Sequence, residues 1–430
     1  MKKLQNFGWE LNPKLINSRI KYPSLKSNID SDWLIVGAGL TGLSALNQLK
    51  KYNINQKITL VDAGRIGQGS SSRNSGFLVD STLNNGATSI LNLKDYKKKY
   101  ALNLAGMSEL RTLVNDNNID CDWTENGKFH AAANKSEFYK LKRFRDLLSA
   151  SGISFKEIHE SELVKLLGTE FYKYAIKTTG GVLLNPQKLI QGLIQKILKN
   201  IDIFENTQII GFDAKERPKA ITSNGIVINA KKIIVAVNSE LPNLNIKRYS
   251  SLPLILTSSI TRKLTQEEQS LLGDPSPWGV LSVKPTGATV RYTNDKRILI
   301  RNTSSPFINS NENIHKNKIF HKNGLVKRFP QLKYLDFENS WSGLISVSRN
   351  GNPIFGNIRD KIFYAGVFNG GGLGLSVLYG AAMIDNAIKV SNTRLNIVKE
   401  YPKANLLPPF PKMAVFLKIT LDKIFGSNEA

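Results

Sequence analysis

The stretch Asp32–Gly76, DWLIVGAGLTGLSALNQLKKYNINQKITLVDAGRIGQGSSSRNSG, constrains this chain more than any other part of it. Trp33 to Val36 form a short apolar run that stops at a glycine, the pattern of a strand buried on both faces of a parallel sheet. Gly37, Gly39 and Gly42 complete a GxGxxG spacing, and Leu43, Leu46 and Leu49 continue it at helical intervals. The first glycine permits a tight turn, the second lets backbone approach a pyrophosphate, and the third lets helix pack close to strand. Leu40 and Thr41 open the helix, whose unpaired N–H groups and positive dipole end suit a diphosphate. Ile58 to Val61 make a second apolar strand. Asp62 and Ala63 close it about twenty residues beyond Gly42, where an acid accepts hydrogen bonds from an adenosine ribose. A helix-capping glycine beside a buried strand would explain each glycine singly, but not the whole order. The order specifies an adenine dinucleotide, and a carboxylate at Asp62 disfavours the 2′-phosphate of NADP.

That motif does not choose between NAD and FAD. The choice comes from residues 64–76, GRIGQGSSSRNSG, where Gly69, Ser70, Ser71, Arg73, Asn74, Ser75 and Gly76 offer N–H groups, hydroxyls and a guanidinium to further phosphate oxygens. A flexible surface loop has the same composition. Directly after Asp62, however, the segment resembles the second FAD loop of the D-amino-acid oxidase family of flavoproteins. That family includes glycine oxidase, sarcosine oxidase and the γ-glutamylputrescine oxidoreductases, and the style here is nearest to the last.

A second signal lies near the other end of the chain. WSGLISVSRNGNPIFGNI at 341–358 leads to a buried strand at Ile362–Ala365, after which Asn369, Gly370, Gly371, Gly372, Leu373 and Gly374 open a helix rich in small residues. A glycine-rich turn before a helix aims N–H groups and a positive dipole end at something electron-rich, although glycines also permit mere close packing. The order Trp-x-Gly, Asn-Gly-x-Pro-x-x-Gly and a glycine-rich strand–helix turn is similar to the way this family ends its flavin site. The resemblance implies that the helix start stabilises negative charge at the N1–C2=O edge of reduced flavin. It also implies that a backbone or amide group near Asn238 approaches the adenine side.

The remaining segments set the architecture. At 430 residues, 41% hydrophobic and 9% aromatic, the chain is long enough for two cores. Residues 81–165 read as mainly helical, with a short hairpin around Asn126-Gly127, and 250–340 read as mostly β, with a hairpin at Asn294-Asp295. Pro186 starts a helix carrying Leu189, Leu193 and Ile197 on one face. The expected fold is α/β (α+β overall): a Rossmann-like FAD-binding domain with a central parallel sheet, and a discontinuous substrate domain with a mostly antiparallel sheet. Residues 31–80, 166–245 and 341–395 are assigned to the first and 81–165 and 246–340 to the second. Residues 1–30 are a lead-in, and 396–430 form a tail with an amphipathic helix.

Lys plus Arg is 59 against 34 Asp plus Glu, a formal charge of +25. The basic residues are scattered and no zinc-finger or RNA-recognition signature accompanies them, so nucleic acid is not the expected partner. No apolar run reaches the roughly 18 residues that span a bilayer, and MKKLQNFGWELNPK lacks the apolar segment of a signal peptide. With one cysteine, Cys121, no intrachain disulfide or cysteine metal cluster can form, and a cytoplasmic location is expected. In the tail, Met413, Phe416, Leu417, Leu421 and Ile424 share a helix face beside Lys412, Lys418 and Lys423. Such a helix packs on its own protein or lies on an anionic membrane surface.

Family resemblance implies an enzyme that oxidises a C–N bond of a small amine or amino acid, with hydride passing to flavin N5 and reoxidation by oxygen or a quinone. Such chemistry needs positioning and a neutral amine more than an acid–base pair. His130, His159, His315 and His321 stand apart, without triad or metal spacing. Without a histidine at residues 73–75, FAD is expected to be noncovalent. Arg291, Arg301 and Arg349 are candidate anchors for a substrate carboxylate, or alternatively solvent-facing strand arginines. Many relatives carry Gly-Gly where Arg301-Asn302 stands, so the resemblance does not carry the known family substrates, glutamylputrescine especially, over to this chain. Two alternatives stay open: oxidation of an aminomethyl group on tRNA, as in one branch of the family, and an amine dehydrogenase at a membrane surface.

Overall fold

The computed structural model describes residues 8–9, 20–85, 88–89, 92–284, 287–306 and 312–425. Most of the lead-in expected at 1–30, and the side chains of Lys423 and Ile424, lie outside the described residues. β1 (Ile29–Val36), α1 (Leu40–Lys51) and β2 (Ile58–Val61) follow one another as the apolar spacing implies. β1 is buried on both faces. Trp33 and Ile35 join the core beneath α1, while Leu34 and Val36 join the core on the other face of the sheet. Full burial of each such side chain contributes about 1.5–3 kcal/mol.

The first sheet has eight strands. Its parallel centre runs Asp202–Phe204, β2, β1, β3 (Val227–Val235) and Ile362–Gly366. Antiparallel strands at Ile209–Asp213, Lys219–Thr222 and Ile354–Ile358 extend it. A parallel sheet needs both faces covered, which accounts for the apolar run Trp33–Val36 in β1 and the complete burial of β2.

The second eight-stranded sheet runs Phe337–Val347, Leu252–Thr261, β4 (Ile298–Ser305), Thr289–Tyr292, Trp278–Ser282, Lys128–Ala132, Tyr174–Thr178 and Phe155–His159. All its neighbours are antiparallel except Trp278–Ser282 with Lys128–Ala132. Tyr292 pairs with Ile298 around the Asn294-Asp295 turn, where Lys296 takes φ +63°. The Asn126-Gly127 turn closes no local hairpin. Gly127 turns at φ +72° against Thr178, and the strand it opens pairs with distant partners instead.

Two helices tie the sheets together at the site. α2 (Leu93–Asp116) and α3 (Gly372–Ala387) meet where a Cβ on Gly106 would lie 2.8 Å from the Gly374 carbonyl carbon. α3 also presses on α1: a Cβ on Gly380 would lie 2.4 Å from the Thr41 carbonyl oxygen. Side chains at these positions would force the helices apart. The terminal helix α4 (Pro411–Phe425) leaves Met413, Phe416, Leu417 and Leu421 exposed. Among the described residues, no helix is long and apolar enough to cross a membrane.

Candidate active site

Gly37 turns at φ +100°, and its N–H donates to the Val61 carbonyl at 2.8 Å, joining the ends of β1 and β2. A Cβ on Gly42 would sit 1.9 Å from the Gly37 carbonyl oxygen, so only glycine lets α1 start this close to the turn. No side chain caps α1 at Gly39, and its first turn holds no acid. The Leu40 N–H donates to Ser71 Oγ at 2.9 Å, linking the two glycine-rich segments. Asp62 accepts the Ala38 N–H at 2.9 Å through one oxygen and the Gly64 N–H at 2.8 Å through the other. Burial raises this carboxyl above the usual range, and the two N–H donors oppose that rise.

Residues 69–76 are held by one another and by partners on the second sheet. Arg73 donates to the Gln68 carbonyl at 2.8 Å and to the Ser342 carbonyl at 3.2 Å, while Trp341 Nε1 donates to the Arg73 carbonyl at 3.0 Å. Asn74 holds Ser71 and Gly76, donating to the Ser71 carbonyl at 2.7 Å and accepting the Gly76 N–H at 2.9 Å. At the far end, Asn369 Oδ1 accepts the Ser348 N–H at 2.8 Å, and Gly370 turns at φ +88° with open space where a Cβ would be. α3 begins without a side-chain cap or an acid. Asn238, at φ +45°, accepts the Val367 N–H at 2.7 Å.

These segments open onto one cavity of about 700 Å³. Gly37, Gly39, Leu40, Thr41, Asp62, Ala63, Gly69, Ser70, Ser71, Arg73, Asn74, Ser75, Asn238, Gly370, Gly371, Gly372 and Leu373 all line it. Gly42, Gly76 and Gly374 do not. They stand behind the wall, where close backbone approach excludes a side chain. Two helix starts whose N-cap residues are glycines, a buried acid and glycines that leave room fit an elongated dinucleotide, so the residues present suit FAD.

Of the three arginines, the cavity receives Arg301 alone. It reaches in from β4, donating to Thr289 Oγ1 at 2.5 Å. Its Nε has no hydrogen-bond partner, and burial lowers the guanidinium to about 10. Arg291 is 1% exposed and donates to the carbonyls of Leu184 at 2.6 Å and Ser75 at 3.1 Å, which leaves it behind the cofactor loop. Arg349 is exposed on a turn away from the cavity, because the chain leaves the sheet at Val347.

The cavity also contains residues that sequence reading did not assign to it. Lys99 enters from α2, its ammonium 3.4 Å from the Gly351 carbonyl and lowered by burial to about 8. His130 enters from Lys128–Ala132, with burial and the Lys128 ammonium holding its pKa well below the ordinary value. Lys128 itself pairs with Asp80 in a nearly sealed contact that Thr178 completes at 2.7 Å. His321 accepts from or donates to Ser259 at 2.7 Å and is not on the cavity wall. Among the described residues no cluster of His, Cys, Asp or Glu could hold a metal.

Comparison with known proteins agrees with this geometry. The chain is similar to the probable oxidoreductase OrdL of Haemophilus influenzae, 24% identical over 404 residues, spanning 89% of this chain and 88% of that protein. It is also similar to the gamma-glutamylputrescine oxidoreductase of Escherichia coli, 25% identical and spanning 85% of each chain. Among solved structures, glycine oxidase from Geobacillus kaustophilus shares the fold with a TM-score of 0.71 at 18% identity, covering 85% of this chain and 96% of that one. The model of the DAO family, FAD dependent oxidoreductase, matches residues 32–386, and the chain belongs to that family.

Proposed function

We propose that this enzyme oxidises the C–N bond of a small amine or amino acid, with FAD held noncovalently. The observation that carries this reading is the single cavity that joins the glycine-rich nucleotide segments to a wall of the second sheet bearing Arg301, Ser258 and Thr289. Bound FAD supplies a hydride acceptor, which oxygen or a quinone reoxidises. The chain supplies the rest. Arg301 presents donors to a substrate carboxylate and so orients the carbon beside the amine. The uncapped start of α3 offers N–H groups to developing negative charge. His130, kept neutral, adds no competing positive charge beside the amine. Residues 69–76 contain no histidine or cysteine, and Cys121 is buried off the cavity wall, its thiol pushed up to about 12, so nothing there favours a covalent link.

The test is anaerobic addition of amino acids, N-methylated amino acids and polyamines to the flavin-loaded enzyme. Bleaching of the flavin by one class supports the reading; a bound flavin that no amine bleaches contradicts it. Acid precipitation should release the whole chromophore into the supernatant.

A second reading concerns the acceptor. α4 and its approach expose Phe410, Met413, Phe416, Leu417 and Leu421 beside exposed Lys412 and Lys418. An exposed apolar face flanked by lysines suits an anionic membrane surface, where a quinone would take the electrons.

A further inference from the structure

Among the described residues, two cations in the cavity lack a counterion. Lys99 is 8% exposed, and the acceptor its ammonium reaches is the Gly351 carbonyl at 3.4 Å. Arg301 spends one nitrogen on Thr289, while its buried Nε has no partner. Burial disfavours the charged form of both groups, and among the described residues no acid answers either of them. Elsewhere in the same region buried cations are answered: Lys284, also on the cavity wall, pairs with Glu137 at 3.0 Å, and Lys128 pairs with Asp80. The carboxylates among the described lining residues are Asp62 and Glu240, both from the nucleotide-binding side. Asp62 is already engaged by two backbone N–H groups. A buried charge without a partner is costly, and a ligand anion removes that cost on binding.

We infer that the substrate is an amine with two anionic groups: an amino acid carrying a second carboxylate on its side chain or its nitrogen substituent, one group received by Arg301 and the other by Lys99. Cationic polyamines would meet like charge on this wall. What happens to the bound compound rests on the proposed C–N oxidation; the binding of two anions does not.

The experiment titrates the flavin-loaded, full-length enzyme with glutarate and with butyrate, reading perturbation of the oxidised flavin spectrum and checking by calorimetry. Glutarate is expected to bind at least about tenfold tighter than butyrate. Lys99→Met and Arg301→Leu should each bring glutarate to the butyrate level, whereas Lys99→Arg should keep most of the difference. Flavin content and spectrum of each variant report folding, and should Arg301→Leu fail to fold, Lys99→Met decides alone. Equal binding of the two acids, no binding of either, or an undiminished preference in Lys99→Met overturns the inference. Reduction of the flavin by neutral amines without any advantage for dicarboxylic ones would overturn it while leaving amine oxidation standing. A dicarboxylate preference in an enzyme that no amine reduces would support the anion site and contradict amine oxidation.

Discussion

Arg291 and Gly76 occupy each other's space: a Cβ on Gly76 would stand 2.2 Å from Arg291 Nη1, and 2.1 Å from the Leu184 carbonyl oxygen that the same nitrogen bonds. The guanidinium lies behind the loop at 69–76, with the Trp9 ring 5.3 Å away, and holds three stretches of chain at once. A side chain that reads as a carboxylate fork therefore works as a backbone clamp. Replacing it by methionine should leave buried carbonyls unsatisfied and cost about 2–3 kcal/mol of stability. A lowered Tm and faster flavin loss on gel filtration are the expected results. A raised KM with normal flavin retention would mean that it binds substrate after all.

Asp62 joins the two nucleotide-binding turns through Ala38 and Gly64. Asp62→Ala removes both hydrogen bonds and any contact to the cofactor ribose. The expected loss is about 1.5–3 kcal/mol, on the order of 10- to 100-fold weaker FAD binding. Quenching of flavin fluorescence during titration into apoprotein measures it.

Acid sensitivity follows from the buried histidines. Burial, reinforced by Arg301, lowers His321 from the ordinary 6.5 to about 3, and His130 is also held well below 6.5. Both stay neutral in the fold while the unfolded chain takes up protons, so their contribution is full above pH 6.5 and is lost as pH falls toward the folded values. Each costs up to roughly 1.4 kcal/mol per pH unit in that window. Tm should fall between pH 7 and 5, and His321→Gln should make the slope shallower. An unchanged slope would contradict a neutral buried His321.

Truncation after Pro411, the first residue of α4, separates catalysis from surface binding. Without residues 412–430, amine-driven flavin reduction should be unchanged. Co-sedimentation with vesicles containing anionic lipid should be lost, and the intact protein should bind those vesicles more weakly as salt rises. Failure of the intact protein to sediment with them would remove the membrane reading.

What the sequence revealed follows the range of its interactions. Gly37, Gly39, Gly42 and Asp62 are legible because turn, helix start and second strand are contiguous, and the close approach of Gly42 to the Gly37 carbonyl is local. Lys99 is not, since DYKKKY reads as an exposed basic turn of helix. It is buried because the tertiary fold brings the Gly351 carbonyl and the cavity wall, both remote in sequence, over this turn of α2. His130 escapes notice for a similar reason: its strand pairs in parallel with Trp278–Ser282, a partner far away in the chain. Arg291 and Arg301 sit on neighbouring strands with Thr289 opposite Arg301 and Leu299 opposite Arg291. Their different fates are set by what covers each strand, which periodicity does not record.

The most direct test is anaerobic stopped-flow reduction of the bound flavin by an amino acid with a second carboxylate, run with hydrogen and with deuterium on the carbon beside the nitrogen. The expected result is bleaching that is slower with deuterium, followed by release of the carbonyl product and the free amine. An intact, bound flavin that stays oxidised with every amine offered, or bleaches at a rate indifferent to deuterium and independent of amine concentration, would contradict it.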